Sequence, residues 1–307
     1  MDKRILITGA GGFVGKNLTE FLSNKYTVFG AVHKDLDLLD EKAVEEFIIK
    51  NGINFIIHCA NIGGTRKTGY DKNSVDLVSN NLRMFFNLAR CLTPDMRMIH
   101  FGSGAEYDKS RALVKISEDE FDRLVPKDDY GYSKYLISKY IEKTENITCL
   151  RIFGLYGKYE DYTYKFISNA IVKNLLKMPL IINQNVFFDY LYIDDFTHIV
   201  EKIIQKKPSN NIFNITPAEK TDLVSIAEII NEISDFRSEI IVNNEGLNKE
   251  YSGDNKKLLD EIGTFKFIPY KDGIKKLYEY FSSNLNKVDT NIIVEDPYLK
   301  ICRTVKS

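Results

Sequence analysis

Tyr130-Gly131-Tyr132-Ser133-Lys134 sets a phenol and an ammonium four residues apart, and four residues along a helix is one face. Such a pair is a proton-transfer unit. A free tyrosine titrates near pH ~10, so using it as a base near neutrality takes a shift of about three units, roughly 4 kcal/mol. Positive charge beside the phenol supplies that shift. Tyr135 and Lys139 repeat the spacing, but they face about 140° round the same helix. Ser103 follows the strand-like run Met96 to Phe101, at the carboxyl edge where ligands bind in parallel sheets. Its hydroxyl reads as a hydrogen-bond partner for a substrate oxygen; the alternative is a turn serine between Gly102 and Gly104.

Those groups need a scaffold, and the first 22 residues describe one. The apolar run Ile5-Leu6-Ile7 reads as a buried parallel strand, and Leu18, Phe21 and Leu22 read as the inner face of a helix. Between them Gly9, Gly12 and Gly15 keep a Gly-x-x-Gly-x-x-Gly spacing, with Phe13 and Val14 opening the helix. This unit turns tightly, lets a pyrophosphate approach the backbone, and points free N–H groups at it, which is the nucleotide-binding arrangement of a dinucleotide cofactor. The second strand, Tyr26 to Val32, ends in His33-Lys34 with no acid at its tip. A carboxylate there usually accepts the ribose hydroxyls of NAD, whereas His33 and Lys34 suit a 2′-phosphate. NADP(H) is therefore favoured and NAD(H) possible, the other reading of His33 and Lys34 being a solvated basic turn.

Alternation continues along the chain. A helix spans Glu41 to Lys50, Asn54 to Ala60 is read as the fourth strand, a helix covers Leu77 to Leu92, and strand Met96 to Phe101 precedes a helix over Tyr130 to Thr144 and a strand at Ile147 to Phe153. This is α/β, a Rossmann-type doubly wound parallel sheet. After Gly157 the pattern reads helical over Lys165 to Leu176, extended over Val186 to Ile193, helical over Phe196 to Gln205, and as a strand at Ile212 to Ile215. Further helices are expected at Leu223 to Ile233 and Gly273 to Phe281. The expected division is a dinucleotide-binding domain of 1-163 and 186-216, a smaller interleaved α/β substrate lobe of 164-185 and 217-281, and a C-terminal tail of 282-307.

With 307 residues, 44% hydrophobic, and a formal net charge of -1, the chain has no electrostatic bias toward nucleic acid or an anionic membrane. It begins Met1-Asp2-Lys3-Arg4 and runs straight into a strand, so a cytoplasmic address is expected. Cys59, Cys91, Cys149 and Cys302 lack Cys-x-x-Cys spacing, and neither a disulfide nor a metal site is expected. His58 and His100 lie inside strand-like runs and read as core residues.

Taken together, Gly9-x-x-Gly12-x-x-Gly15, Ser103 four residues before Tyr107, and Tyr130-Gly-x-Ser-Lys134 resemble the extended short-chain dehydrogenase/reductase family of NAD(P)-dependent nucleotide-sugar epimerases, dehydratases and reductases. His58-Cys59-Ala60, Asn81-Leu82, Arg151-x-x-x-x-Tyr156-Gly157 and Phe188-Asp189-Tyr190 through Asp195 agree in order. The resemblance implies that Tyr130 is the general acid/base, that Lys134 orients the nicotinamide ribose and tunes Tyr130, and that Ser103 binds the reacting sugar oxygen. It implies Asp37 and Leu38 at the adenine, with Ala60 and Asn81 supporting the cofactor. Gly104, Lys165, Asn169 and Asp189 would face the substrate, a nucleotide-diphosphate sugar. It also implies a homodimer through the helices around 77–92 and 130–144.

Departures from the family pattern narrow the activity. Dehydratases of this family carry an acidic pair after the serine or threonine, where this chain has Gly104 and Ala105, and members that epimerise beside a ketone use a cysteine and a histidine where it has Ala105 and Lys165. Gly154 stands where the family has an asparagine. The implied activity is oxidoreduction at C4 of a nucleotide-linked sugar, first a 4-ketoreductase of surface-polysaccharide precursor synthesis, with a 4-epimerase holding NAD as the alternative. A non-catalytic nucleotide-binding or sensing protein is the reading from another class.

Overall fold

The run Ile5-Leu6-Ile7 is apolar throughout because both faces of its strand, β1 (Arg4–Thr8), are covered. Ile5 and Ile7 enter one core layer and Leu6 the other, all with no exposed surface. Each such side chain contributes about 1.5–3 kcal/mol of burial. A computed structural model describes residues 3–63, 76–217 and 219–305. From β1 the chain continues through α1 (Phe13–Leu22), β2 (Thr27–Ala31), α2 (Glu41–Lys50), β3 (Phe55–His58), α3 (Leu77–Arg90), β4 (Arg97–Ser103), β5 (Leu113–Ile116), α4 (Asp129–Ile141) and β6 (Ile147–Ile152). Two of these helices start on side-chain caps: Asp40 and Asp128 accept the N–H groups of Ala43 and Gly131 at 3.1 and 2.9 Å, each cap worth about 1 kcal/mol.

Beyond β6 come β7 (Gly154–Tyr156), α5 (Phe166–Leu175), β8 (Leu180–Asn185), β9 (Phe187–Phe188), β10 (Tyr190–Tyr192), α6 (Ile193–Gln205) and β11 (Ile212–Ile215). The main sheet is six parallel strands in the order β11-β6-β4-β3-β1-β2. From β1 the chain goes to β2 on one side and then to β3 on the other, so the loops after these strands diverge around a crevice, the place where open parallel sheets bind ligands.

Asn54 to Ala60 supplies the third strand of this sheet and not the fourth. Between β2 and α2 the chain curls, with the Asp35 N–H on the Val32 carbonyl at 2.8 Å. Leu36 and Leu38 turn inward there, each 6% exposed, and this burial replaces a further edge strand. The extended stretch expected over Val186 to Ile193 is divided between β9 and β10, and α6 begins at Ile193, ahead of the expected Phe196. Asp194 and Asp195 thus fall in its first turn, where carboxylates complement the helix dipole.

The remaining elements are β12 (Thr221–Asp222), α7 (Leu223–Ile233), β13 (Ile240–Leu247), β14 (Tyr251–Gly253), α8 (Lys256–Ile262), α9 (Tyr270–Ser283), α10 (Thr290–Glu295) and α11 (Pro297–Lys300). β13 pairs with β8, while β14 joins β9 to β5, the strand between β4 and α4, in a separate four-stranded sheet. Residues after 282 pack back on the lobe: Ile293 and Tyr298 are buried, Lys173 meets Asp296 at 2.5 Å, and Gln184 exchanges hydrogen bonds with Val305 at 3.0 and 2.9 Å.

Among the described residues no helix is long and apolar enough to cross a membrane, and no cluster of three or more His, Cys, Asp or Glu could hold a metal ion. His58 and His100 are core residues with rings 5.4 Å apart, and burial aided by Lys134 holds both well below the usual imidazole range.

Candidate active site

Gly9 turns the chain at the end of β1 with φ +64°, and a Cβ there would stand 2.8 Å from the Ala60 amide nitrogen at the end of β3. At Gly15 a Cβ would lie 2.3 Å from the Gly9 carbonyl oxygen, so α1 packs against the turn only without a side chain. Gly12 begins α1 with no side-chain cap and no acid in the first turn, which leaves the amides around Phe13 and Val14 facing outward from the helix end. Above this turn lies a cavity of about 450 Å³, lined by residues that include Gly9, Gly12, His33, Asp37, Leu38 and Ala60. These residues fit a dinucleotide: the backbone is bare where a pyrophosphate would lie, and the cavity continues to the tip of β2.

Thr8, Cys59, Ile62 and Met84 also line the cavity and were not expected from the sequence. Thr8 braces the wall, its Oγ1 2.8 Å from His58 Nδ1 and accepting the Ala60 N–H at 3.2 Å. Asn81 is buried and holds that wall from behind, accepting the Ile62 N–H and donating to the Ile62 carbonyl, both at 2.9 Å. At the open end His33 and Lys34 are exposed, and His33 Nδ1 stands 3.8 Å from Asp37. Asp35 is a further acid: its carboxylate folds back to accept the Val32 N–H at 3.2 Å, so a carboxylate does sit by the tip of β2 although the linear order puts it three residues on.

Ser103, Tyr130 and Lys134 come together at the carboxyl end of β4. Ser103 ends the strand and caps the short helical turn Gly104–Tyr107, its Oγ accepting the Ala105 N–H at 3.1 Å. Tyr130 lies in the first turn of α4, half-buried, with its hydroxyl hydrogen-bonded to that of Ser103. Burial pushes the phenol up to about 12 and outweighs the Ser103 bond. Lys134, one turn on and 4% exposed, donates from Nζ to the Phe101 carbonyl at 2.7 Å. Burial pulls it down to about 8, opposed chiefly by the carboxylate of Glu106. Tyr135 and Lys139 are taken up elsewhere, both bonded to Asp122.

The residues expected at the substrate are less uniformly placed. Gly104 lies beneath a phenol from the other lobe: a Cβ there would be 2.5 Å from the Tyr251 hydroxyl, which also bonds the Ser103 side chain. Lys165 is exposed at the start of α5, and Asn169 is 2% exposed with its amide given to the Tyr162 carbonyl at 3.1 Å. Asp189 is 2% exposed; one oxygen accepts the Gly253 N–H at 2.6 Å and the other has no hydrogen-bond partner among the described residues. Tyr251 escaped the sequence reading because nothing local to β14 links it to Ser103. The one acid adjoining the Gly104-Ala105 pair, Glu106, points inward to Arg151 at 2.6 Å and away from the cleft.

A family model, the NAD dependent epimerase/dehydratase family, matches residues 5–216. The chain belongs to that family. Its members are nicotinamide-dependent enzymes, and the match spans both the glycine turn and the Ser103-Tyr130-Lys134 group. Among curated relatives, GDP-L-colitose synthase of Yersinia pseudotuberculosis is 24% identical over 323 residues, covering 92% of this chain and 99% of that protein. GDP-6-deoxy-D-talose 4-dehydrogenase of Aggregatibacter actinomycetemcomitans is 26% identical over 296 residues, covering 90% and 97%. Solved structures superpose over about nine-tenths of the chain. RMD from Pseudomonas aeruginosa complexed with NADPH has a TM-score of 0.79 at 17% identity, covering 92% and 99% of the two chains. The Thermus thermophilus UDP-glucose 4-epimerase complex with NAD has 0.77 at 17%, covering 91% and 99%.

Proposed function

We propose that this enzyme is an oxidoreductase acting at C4 of a nucleotide-diphosphate sugar, and specifically a 4-ketoreductase that uses NADPH. The observation that carries the reading is the convergence of a hydroxyl, a phenol and an ammonium, from Ser103, Tyr130 and Lys134, at the carboxyl end of β4. When bound, the nicotinamide group supplies the hydride. The chain supplies the rest. Ser103 hydrogen-bonds the sugar carbonyl oxygen and orients it. Tyr130, a phenol raised to about 12, is protonated at neutral pH and delivers its proton to that oxygen as negative charge builds there. Lys134, held charged against burial by Glu106, stabilises the phenolate left behind.

Gly9, Gly12, Gly15, Phe13 and Val14 would hold the pyrophosphate, Asp37 and Leu38 the adenine, and His33 and Lys34 a 2′-phosphate. Ala60 and Asn81 would form the wall, with Tyr130 and Lys134 at the nicotinamide ribose. Dehydration is disfavoured because Gly104 and Ala105 carry no acid and Glu106 is turned inward. Two relatives named for GDP-linked sugars, one of them a 4-dehydrogenase by name, support the substrate class. A second reading, a 4-epimerase that retains NAD, is favoured by Asp35, whose carboxylate at the β2 tip is a ready acceptor for ribose hydroxyls.

The test is twofold. Thermal stabilisation by UDP-, GDP-, CDP- and dTDP-sugars identifies the base, and absorbance of NADPH during incubation with 4-keto-6-deoxy sugars on that base reads the reaction. Net NADPH oxidation supports the reductase. Interconversion of C4 epimers without net oxidation, by protein purified with NAD bound, replaces it with the epimerase.

A further inference from the structure

Glu106 is next to the reacting centre in sequence, yet the reaction proposed above gives it no direct part. Its side chain is wholly buried and takes donors from three separate elements. The Ser103 N–H, ending β4, reaches Oε1 at 2.9 Å; Ser138 Oγ, on α4, reaches Oε2 at 2.7 Å; and Arg151 Nε, on β6, reaches Oε2 at 2.6 Å. Ser138 lies one helical turn beyond Lys134 and two beyond Tyr130 on the same helix.

The surroundings leave the carboxylate little room. A Cβ at Gly102 would meet Oε1 at 2.4 Å. Arg151 is 1% exposed and is itself held, donating to the Tyr107 hydroxyl at 2.9 Å, which in turn donates to Asn214 at 2.7 Å. An ion pair buried this deeply is no cheaper for stability than apolar side chains of the same volume, because desolvation consumes most of the Coulombic gain. What it supplies that apolar packing does not is directed bonds to chosen atoms.

We propose that Glu106 is a positioning residue whose carboxylate brackets the Ser103 turn to the helix bearing Tyr130 and Lys134, and so sets the contact between the Ser103 and Tyr130 hydroxyls. This rests on reading Ser103, Tyr130 and Lys134 as the reacting centre. Neither Glu106 nor Ser138 touches substrate; they act by fixing where Ser103 stands relative to the phenol.

Ser138→Ala removes the α4 leg and leaves Glu106 two donors, so the fold survives. Ser238→Ala is the matched control: it removes a buried bond from Asn174 Nδ2 at 3.0 Å, in the other lobe. Two quantities are measured. One is the Tyr130 titration with NADP+ bound, read as the tyrosinate absorbance difference between each protein and the same protein carrying Tyr130→Phe. The other is kcat and KM with NADPH and the dTDP- or GDP-linked 4-keto-6-deoxyhexose. The groups facing Tyr130 are Ser103, Glu106, Asp128, Lys134, Lys109 and Tyr251, and the substitution replaces none of them; it acts on them only through the donor lost from Glu106.

Loosening Ser103 withdraws a bond that favours the phenolate, so Ser138→Ala should move the Tyr130 titration upward by about half a unit or more. It should lower kcat roughly three- to tenfold with KM and NADPH affinity unchanged. Ser238→Ala should lose comparable thermal stability and move neither quantity. If Ser138→Ala loses stability alone, like its control, while Tyr130→Phe is inactive, the bracket is overturned and the reacting centre stands. If Tyr130→Phe turns over at the wild-type rate, the reading of the centre fails and the bracket falls with it.

Discussion

Lys134 Nζ stands 6.0 Å from the centre of the Tyr130 ring, one helical turn away, with its ammonium anchored on the Phe101 carbonyl. This spacing is close enough for the ammonium charge to act on the phenol through a low-dielectric interior, and the Lys134 side chain is also placed for the cofactor, so the two substitutions should behave differently.

Tyr130→Phe removes one hydroxyl and little packing area, and turnover should fall by about 10²–10⁴-fold with cofactor affinity nearly unchanged. Lys134→Met should damage both turnover and cofactor binding. Tyr135→Phe is the control and should leave kcat within about twofold, because its hydroxyl is bonded to Asp122. Steady-state kinetics beside cofactor titration separate the three, and a damaging Tyr135→Phe with a harmless Tyr130→Phe would reverse the assignment.

Cofactor choice turns on the tip of β2, where His33 and Lys34 face solvent and Asp35 folds back on Val32. NADPH should bind more tightly than NADH, and Lys34→Ala should weaken NADPH roughly tenfold, about 1.4 kcal/mol, with little effect on NADH. Asp35→Ala should weaken NADH and spare NADPH. Fluorescence titration of both cofactors decides it; equal or tighter NADH binding would move the NAD-retaining epimerase ahead.

Asp189 gives a pH signature. Burial pushes its carboxyl up to about 8, against the lowering effect of bonds from Gly253 and Thr216. Between the ordinary carboxylate range near pH ~4 and pH 8 the folded protein therefore holds a proton that the unfolded chain has released, and stability falls as pH rises through that window. Asp189→Asn cannot ionise and should escape the loss. Its melting temperature should match wild type near pH ~4 and exceed it increasingly toward pH 8, the stability difference growing by up to about 1.4 kcal/mol for each pH unit. A constant difference across that range would show that Asp189 does not titrate there.

Assembly is open to a direct measurement. On α3 and α4, Phe86 and Tyr140 pack edge to face at 5.0 Å, while Tyr140 and Tyr132 remain 42% and 37% exposed. Two copies meeting on these helices would cover that aromatic surface as a two-fold pair. Light scattering at micromolar concentration should report a dimer, and Tyr140→Glu should shift it toward monomer. A wild-type monomer at that concentration would remove the expectation.

Much of the fold and part of the site are legible along the chain because their causes are local. A strand covered on both faces must be apolar at every position, as Ile5 to Ile7 are. A turn that lets a helix sit on its own carbonyl must lack a side chain, as Gly15 does. Residues four apart on a helix share a face, which brings Tyr130 beside Lys134. The tertiary structure decided what depends on neighbours distant in sequence. That the segment between β2 and α2 turns Leu36 and Leu38 inward, and that Asn54 to Ala60 supplies the third strand, became visible only in the folded chain. Whether Glu106 faced the cleft or the interior rested on Arg151 and Ser138, and whether Tyr251 met Ser103 rested on β14 pairing with β5 and β9. Residue type and spacing state which chemistry a side chain is able to do, but its direction and its charge are set by the partners and the burial that folding provides.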